Sequence, residues 1–224
     1  SFILPVVMML LVLGAVFTGG QYLLTTTVEE KSNRVVEVLL SAVSPTQLMA
    51  GKILGQMLVG LAMLTIYSGV GISALIAFSL GDLISPLDLV WMFLFFLTGY
   101  GMIASLMAAA GAAVNDLREA QTFMTPIMMF MMIPYLMMLV VPRAPNSTLS
   151  VTMSFIPPIS PFIMMLRIAS NDPPPVWQVL LGLAVSAAGA VVAIWFAGKI
   201  FRVGMLMFGK PPDFKTLIRW VRMA

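Results

Sequence analysis

The sequence contains no cysteine and no histidine. The first absence removes disulfides, thiolate nucleophiles and Cys-ligated metals. The second removes the commonest metal ligand and the commonest general base. Charge is scarce too: Asp, Glu, Lys and Arg make up 9% of the 224 residues, against 60% hydrophobic. A soluble domain carries roughly 25% charged and about 45–50% apolar residues. With so little polar surface and a mean hydropathy of +1.03, lipid must solvate most of the chain. A soluble enzyme and a nucleic-acid-binding domain are excluded. The net charge of +3 matters through where the few charges sit, not as the sign of a nucleic-acid partner. The chain opens on Ser1 without a Met, and so reads as a piece of a longer protein.

What is present is a series of long uncharged runs: Ser1–Val28, Ile53–Gly81, Leu89–Asn115, Ala120–Pro142, Ala144–Leu166 and Pro173–Gly198. Each exceeds the roughly 20 residues that a membrane helix needs. Ala144–Leu166 is the exception in kind. Pro145, Pro157, Pro158 and Pro161 would leave backbone groups unpaired in lipid. It reads as a surface loop followed by a short helix, roughly Pro161–Ala169, that dips into the bilayer face without crossing. The basic residues test this choice. With five spans, Lys31, Arg34, Lys52, Arg118, Lys199, Arg202, Lys210, Lys215, Arg219 and Arg222 share one side, and Arg143 and Arg167 face the other. With six spans the basic tail changes sides and the asymmetry disappears. Five spans are therefore predicted, with Ser1 outside and Ala224 cytoplasmic. No basic n-region precedes the first span, which argues against a signal peptide.

The expected map is one all-α transmembrane domain over residues 1–224. Its spans are about 2–24, 53–80, 89–114, 123–141 and 176–201. A cytoplasmic elbow fills 25–52, an outer segment 142–175 and a basic tail 202–224. Asp172–Pro175 is a stiff turn into the last span. No internal repeat is evident, so the inverted repeats of secondary transporters are not indicated.

The elbow is the most informative stretch. Val28, Val35, Val36, Leu39 and Val43 recur at helical spacing and predict one apolar stripe, with Glu29, Glu30, Lys31, Arg34 and Glu37 around it. Glu30 and Arg34 stand at i, i+4 in the favourable acid-first order. Ser44 suits an N-cap, Pro45 the first helical position and Gln47 the third, which predicts a capping box and a sharp bend around Ser41–Ser44. Two readings follow. The elbow is a helix resting on lipid headgroups, or it docks a cytoplasmic partner. Its mixed acidic and basic face favours docking, because lipid-surface helices are usually rich in Lys and Arg.

The run EEKSNRVVEVLLSAVSPTQLMAGKILG, Glu29 to Gly55, resembles the signature of the permease subunits of type-2 ABC exporters, in the sodium-efflux-permease-like branch. Asn115–Thr122 looks like that family's second cytoplasmic loop, Phe155–Arg167 its outer helix and Arg202–Arg222 its C-terminal tail. The resemblance implies spans two to six of a six-span permease, with the first span and an outside domain lying beyond this chain. It implies an outer helical hairpin and a multi-pass protein of the cell (inner) membrane. It also implies a second permease copy or a paralogue, and separate ATP-binding subunits that hold ATP and magnesium. The chain itself is expected to bind no cofactor or metal and to carry no catalytic residue. On this reading Glu29, Glu30, Lys31, Arg34, Glu37, Ser44 and Pro45 form the coupling elbow.

Two motifs fail on inspection. Gly204–Lys210 fits seven positions of a phosphate-binding loop, but Pro211 stands where a Ser or Thr hydroxyl should reach magnesium. Glu29–Arg34 fits the first motif of a family of intramembrane glutamate proteases, whose further motifs need His. Small residues at Gly51 and Gly55, at Ala104, Ala108 and Ala112, and at Ser186 and Ala190 predict close helix contacts. Met124, Met128, Met129, Met131, Met132, Met137 and Met138 crowd the fourth span, as adaptable filler or as a greasy path. No span carries an ionisable group in its middle, which argues against carboxylate-coupled use of an ion gradient. Among the polar mid-span residues, Gln56, Tyr67, Ser73 and Tyr100 are the candidate substrate path. An apolar path is compatible with sodium, a drug, a peptide or a lipid. The alternative to an ATP-driven exporter is a passive channel or assembly scaffold.

Overall fold

A computed structural model describes residues 2–79, 81, 84–205 and 216. Most of the predicted basic tail, including Lys210, Lys215, Arg219 and Arg222, lies outside the described residues. The elements are α1 Ile3–Ser32, α2 Val35–Ala42, α3 Pro45–Ala77, α4 Pro86–Ala113, α5 Leu117–Met137, α6 Thr148–Met153, α7 Ser160–Ile168 and α8 Val176–Gly204. No strand occurs among the described residues. Five of the helices, α1, α3, α4, α5 and α8, are long and apolar enough to cross a membrane. Each expected span falls within one of them or overlaps it closely, and the protein is an all-helical, multi-pass membrane protein.

The centre of the bundle is α4. Its small residues let α1 and α8 approach from either side. A Cβ on Gly111 would lie 2.8 Å from the Leu24 carbonyl oxygen, and one on Gly204 would lie 2.7 Å from that of Ala112. Ala104, Ala108 and Ala112 are buried, as are Ser186 and Ala190 on α8. Those faces pack within the chain, through close van der Waals contact in place of hydrophobic exclusion of water. The helices α3 and α5 are peripheral. Gly51 and Gly55 have open space before them, so that small pair meets no helix of this chain. Phe2, Arg143 and Asp172 gather at one end of the bundle, and Lys31, Lys52 and Ala112 at the other.

The outer segment departs from expectation in depth. It forms the expected short helices, but they reach deeper than a dip into the bilayer face. All nine residues of α7 are buried. Pro157, between α6 and α7, sits so close to Gly189 that a Cβ there would be 2.6 Å from its own Cβ. Gly189 is about 20 Å down α8 from Val176, at about 1.5 Å per residue. The hairpin thus sinks to mid-depth between α4 and α8. Non-helical backbone is tolerated there only when protein surrounds and satisfies it. Serine hydroxyls do so: Ser150 donates to the Ala144 carbonyl at 2.8 Å, Ser154 to that of Ser150 at 2.6 Å, and Ser186 to the Ser160 hydroxyl at 3.0 Å.

Arg167, counted above among the basic residues of the outer side, is held inside the bundle. It is fully buried, and its guanidinium donates to the Pro145 carbonyl at 2.7 Å, Ser154 Oγ at 3.0 Å, Asn146 Oδ1 at 3.1 Å and Gln178 Oε1 at 2.6 Å. All four acceptors are neutral. The Asp172 carboxylate joins at one remove, accepting from Asn146 Nδ2 at 2.8 Å.

Candidate functional site

The elbow is built from the inner end of α1. This helix does not stop at the expected end of its span but continues through Glu29–Lys31 to Ser32. Asn33 closes it, and Arg34 takes a left-handed conformation with φ 57°. The chain swings into α2, turns extended at Val43, and restarts at Ser44. There the predicted capping box is present. Gln47 N–H donates to Ser44 Oγ at 3.3 Å, and Ser44 N–H donates to Gln47 Oε1 at 2.9 Å. Pro45 takes the first helical position, where its missing N–H costs nothing.

The break at Asn33–Arg34 overturns the expected Glu30–Arg34 pair, because the two residues no longer share one helix. Glu30 instead meets Lys52 on α3, Oε2 to Nζ at 2.6 Å. Lys52 Nζ also donates to Thr27 Oγ1 at 3.5 Å. The same break splits the predicted apolar stripe. Val28 and Val36 are buried, but Val35 and Val43 are exposed. Lys31 is buried as well, and its Nζ donates to the Ala112 carbonyl at 2.7 Å. That carbonyl is at the end of α4, where the helix dipole favours a cation. Beyond it, Asp116 caps α5 by accepting from Glu119 N–H at 2.8 Å. Glu119 in turn accepts from Asn115 N–H at 2.9 Å.

The seven elbow residues therefore divide into two groups. Glu29, Arg34, Glu37 and Ser44 stand at the surface. Glu30 and Lys31 turn inward, one tied to α3 and the other to α4, while Pro45 is half-buried at the bend. Sequence reasoning missed Lys52 and the Ala112 carbonyl as partners, and neither carries a local signal. It also missed Ser85, Pro86 and Asp88, which cap α4 as Ser44, Pro45 and Gln47 cap α3. That signal was present in the sequence.

The four path residues are not brought together. Tyr100 is buried on α4 against Phe96, ring centroids 5.5 Å apart, and its hydroxyl finds no hydrogen-bond partner among the described residues. Ser73 is exposed and donates to the Gly69 carbonyl at 2.7 Å, and Gln56 is half-buried. Tyr67 alone of the four lines an apolar cavity of about 470 Å³, shared by α1, α3 and α4. The fourth span's methionines also divide: Met124 and Met131 are buried, whereas Met128, Met129 and Met132 face outward.

Fold and elbow together define a multi-pass helical membrane protein with a charged double bend at one end. Residues 1–199 match the family described as ABC-2 family transporter protein, and the chain belongs to that family. Membership puts it among the membrane subunits of ABC transporters. It is 31% identical over 207 residues to the uncharacterized protein YhaP of Bacillus subtilis (strain 168), covering 87% of this chain and 49% of that one. It is 26% identical over 219 residues to the uncharacterized protein MJ1024 of Methanocaldococcus jannaschii, covering 98% and 54%. The chain thus spans about half the length of these relatives. No solved structure gives a significant match.

Proposed function

We propose that this chain is the transmembrane part of an ATP-driven exporter. It lines the substrate pathway together with a second copy or a paralogue, and separate ATP-binding subunits dock on its elbow. ATP and magnesium belong to those subunits. The observation that carries the reading is the division of the elbow charges. Glu29, Arg34, Glu37 and Ser44 are presented outward, while Glu30 and Lys31 fasten the same bend to α3 and α4. A push on the bend is thereby handed to two spans at once. Coupling requires a partner that binds the two states of the permease differently.

Family membership supports the ATP-binding partner, and the Glu29–Gly55 likeness supports the sodium-efflux-permease-like branch. The ten basic residues counted on one side support a cytoplasmic elbow and tail, with Ser1 outside the inner membrane. Of the path residues, Tyr67 is the best placed, because a ligand in its cavity would touch three spans. The passive alternative draws on Val35 and Val38 of α2, which are exposed and would suit a helix lying on lipid.

The test is triple reversal, Glu29→Lys with Arg34→Glu and Glu37→Lys. Single rim charges contribute under about 1 kcal/mol each, whereas several reversals create like-charge clashes against a partner. The expected result is loss of the co-purifying ATPase and of ATP-dependent export, with an unchanged melting temperature. Retention of the ATPase by the triple variant would remove the docking role. Transport without any ATPase would establish the passive reading.

A further inference from the structure

A groove of about 440 Å³ runs between the start of α3 and the end of α8. Its floor and walls are apolar, from Met49, Ile53 and Leu54 on α3 and Ile194 on α8. Gly198 keeps it open: a Cβ there would only touch Met49 Cε at 3.5 Å, so the space in front belongs to the groove. The rim is basic. Lys199 and Arg202 line it, one turn apart on α8, and no carboxylate is among the described lining residues. Trp195 stands exposed beside them, with Lys199 Nζ 4.7 Å from its ring centroid.

These features grade from apolar to cationic along the helix axis, in the order in which a lipid grades from acyl chain to phosphate. We propose that the groove holds one anionic phospholipid, its acyl chain along Ile53, Leu54 and Ile194 and its phosphate at Lys199 and Arg202. An apolar wall by itself does not select, because lipid tails already solvate it. Selection comes from the head. Basic pockets between membrane helices hold anionic headgroups, and a tryptophan belongs at that depth, with its ring in the acyl region and its N–H toward water. The cation over the Trp195 face fixes the ammonium at the rim. Two cations give an expected preference of about tenfold or more over a zwitterionic lipid. The site uses none of the elbow charges and stands whether or not an ATPase docks there.

The test uses the full protein in phosphatidylcholine vesicles containing either phosphatidylglycerol or phosphatidylcholine with brominated acyl chains. Bromine quenches a nearby indole. The chain has four Trp, so the Trp195→Phe variant is subtracted to isolate Trp195. Quenching by the brominated phosphatidylglycerol should occur at about tenfold lower mole fraction than by the phosphatidylcholine. Lys199→Gln with Arg202→Gln should bring the two lipids level, leaving the phosphatidylcholine curve unchanged. Gly198→Leu, which fills the groove, should weaken quenching by the anionic lipid at an unchanged melting temperature. Equal quenching by both lipids in the unaltered protein would overturn the proposal. So would a preference that survives the double substitution. Protection of Trp195 from both lipids would mean that protein, a second copy or a partner, covers the groove, and would overturn it equally.

Discussion

An ion pair at one end of the bundle and a buried arginine toward the other carry more structure than their places in the sequence suggest. Glu30 and Lys52 are both mostly withdrawn from solvent and 2.6 Å apart, so their pair falls between an exposed bridge and a buried one. Glu30→Lys should cost about 1–2 kcal/mol, read as a lower melting temperature in detergent. Glu30→Lys with Lys52→Glu should restore most of it, whereas Glu30→Lys with Arg34→Glu should not. Arg167 is the larger case. Arg167→Met would leave four acceptors, on Pro145, Asn146, Ser154 and Gln178, without their donor. The expected cost is about 3–5 kcal/mol. Arg167→Lys should recover only part of it, because an ammonium cannot reach a carbonyl, a hydroxyl and two amides in one plane. Thermal unfolding of the three forms should rank arginine above lysine above methionine.

Among the elements, glycines distinguish a helix face that packs from one that does not. Gly189→Ala would drive a Cβ to 2.6 Å from Pro157 Cβ, and overpacking of this kind costs about 1–3 kcal/mol. Gly55→Ala meets open space and should leave the melting temperature of the isolated chain unchanged or slightly raised, since Ala is the better helix former. Equal effects at the two positions would show that the hairpin does not sit against α8. The same contrast marks what a single sequence makes legible. Spans were legible because lipid demands long uncharged runs, and the α3 start because Ser44-Pro45-Thr46-Gln47 satisfies its own backbone. The Glu30–Arg34 pair was misjudged because i, i+4 spacing means proximity only while the helix continues, and Arg34 ends it. The inward direction of Lys31 and Arg167 was not legible. Their acceptors come from other segments, and two of them, the Ala112 and Pro145 carbonyls, are backbone groups without a sequence signature.

For the whole molecule, the odd number of spans requires Phe2 and Gly204 to lie at opposite faces, as their surroundings do. Because the chain has no native cysteine, single cysteines report side directly. Asp172→Cys should react with an impermeant maleimide added outside, Arg118→Cys only after the inner face is opened, and Pro157→Cys with neither. Reaction at 157 from outside would return the hairpin to the surface. The sunken hairpin also bears on how the protein is made. A segment with eight prolines and a buried arginine cannot leave the translocon for lipid alone, and its receiving wall, α8, is synthesised after it. From the moment α5 is inserted until α8 arrives, residues 142–175 must wait in water or at the interface, without the Gln178 side-chain amide oxygen that Arg167 will meet. Residues 142–204 are thereby expected to settle into the membrane together. A chain released after residue 175 should be found by membrane proteases in pulse–chase labelling, while one released after residue 204 should persist.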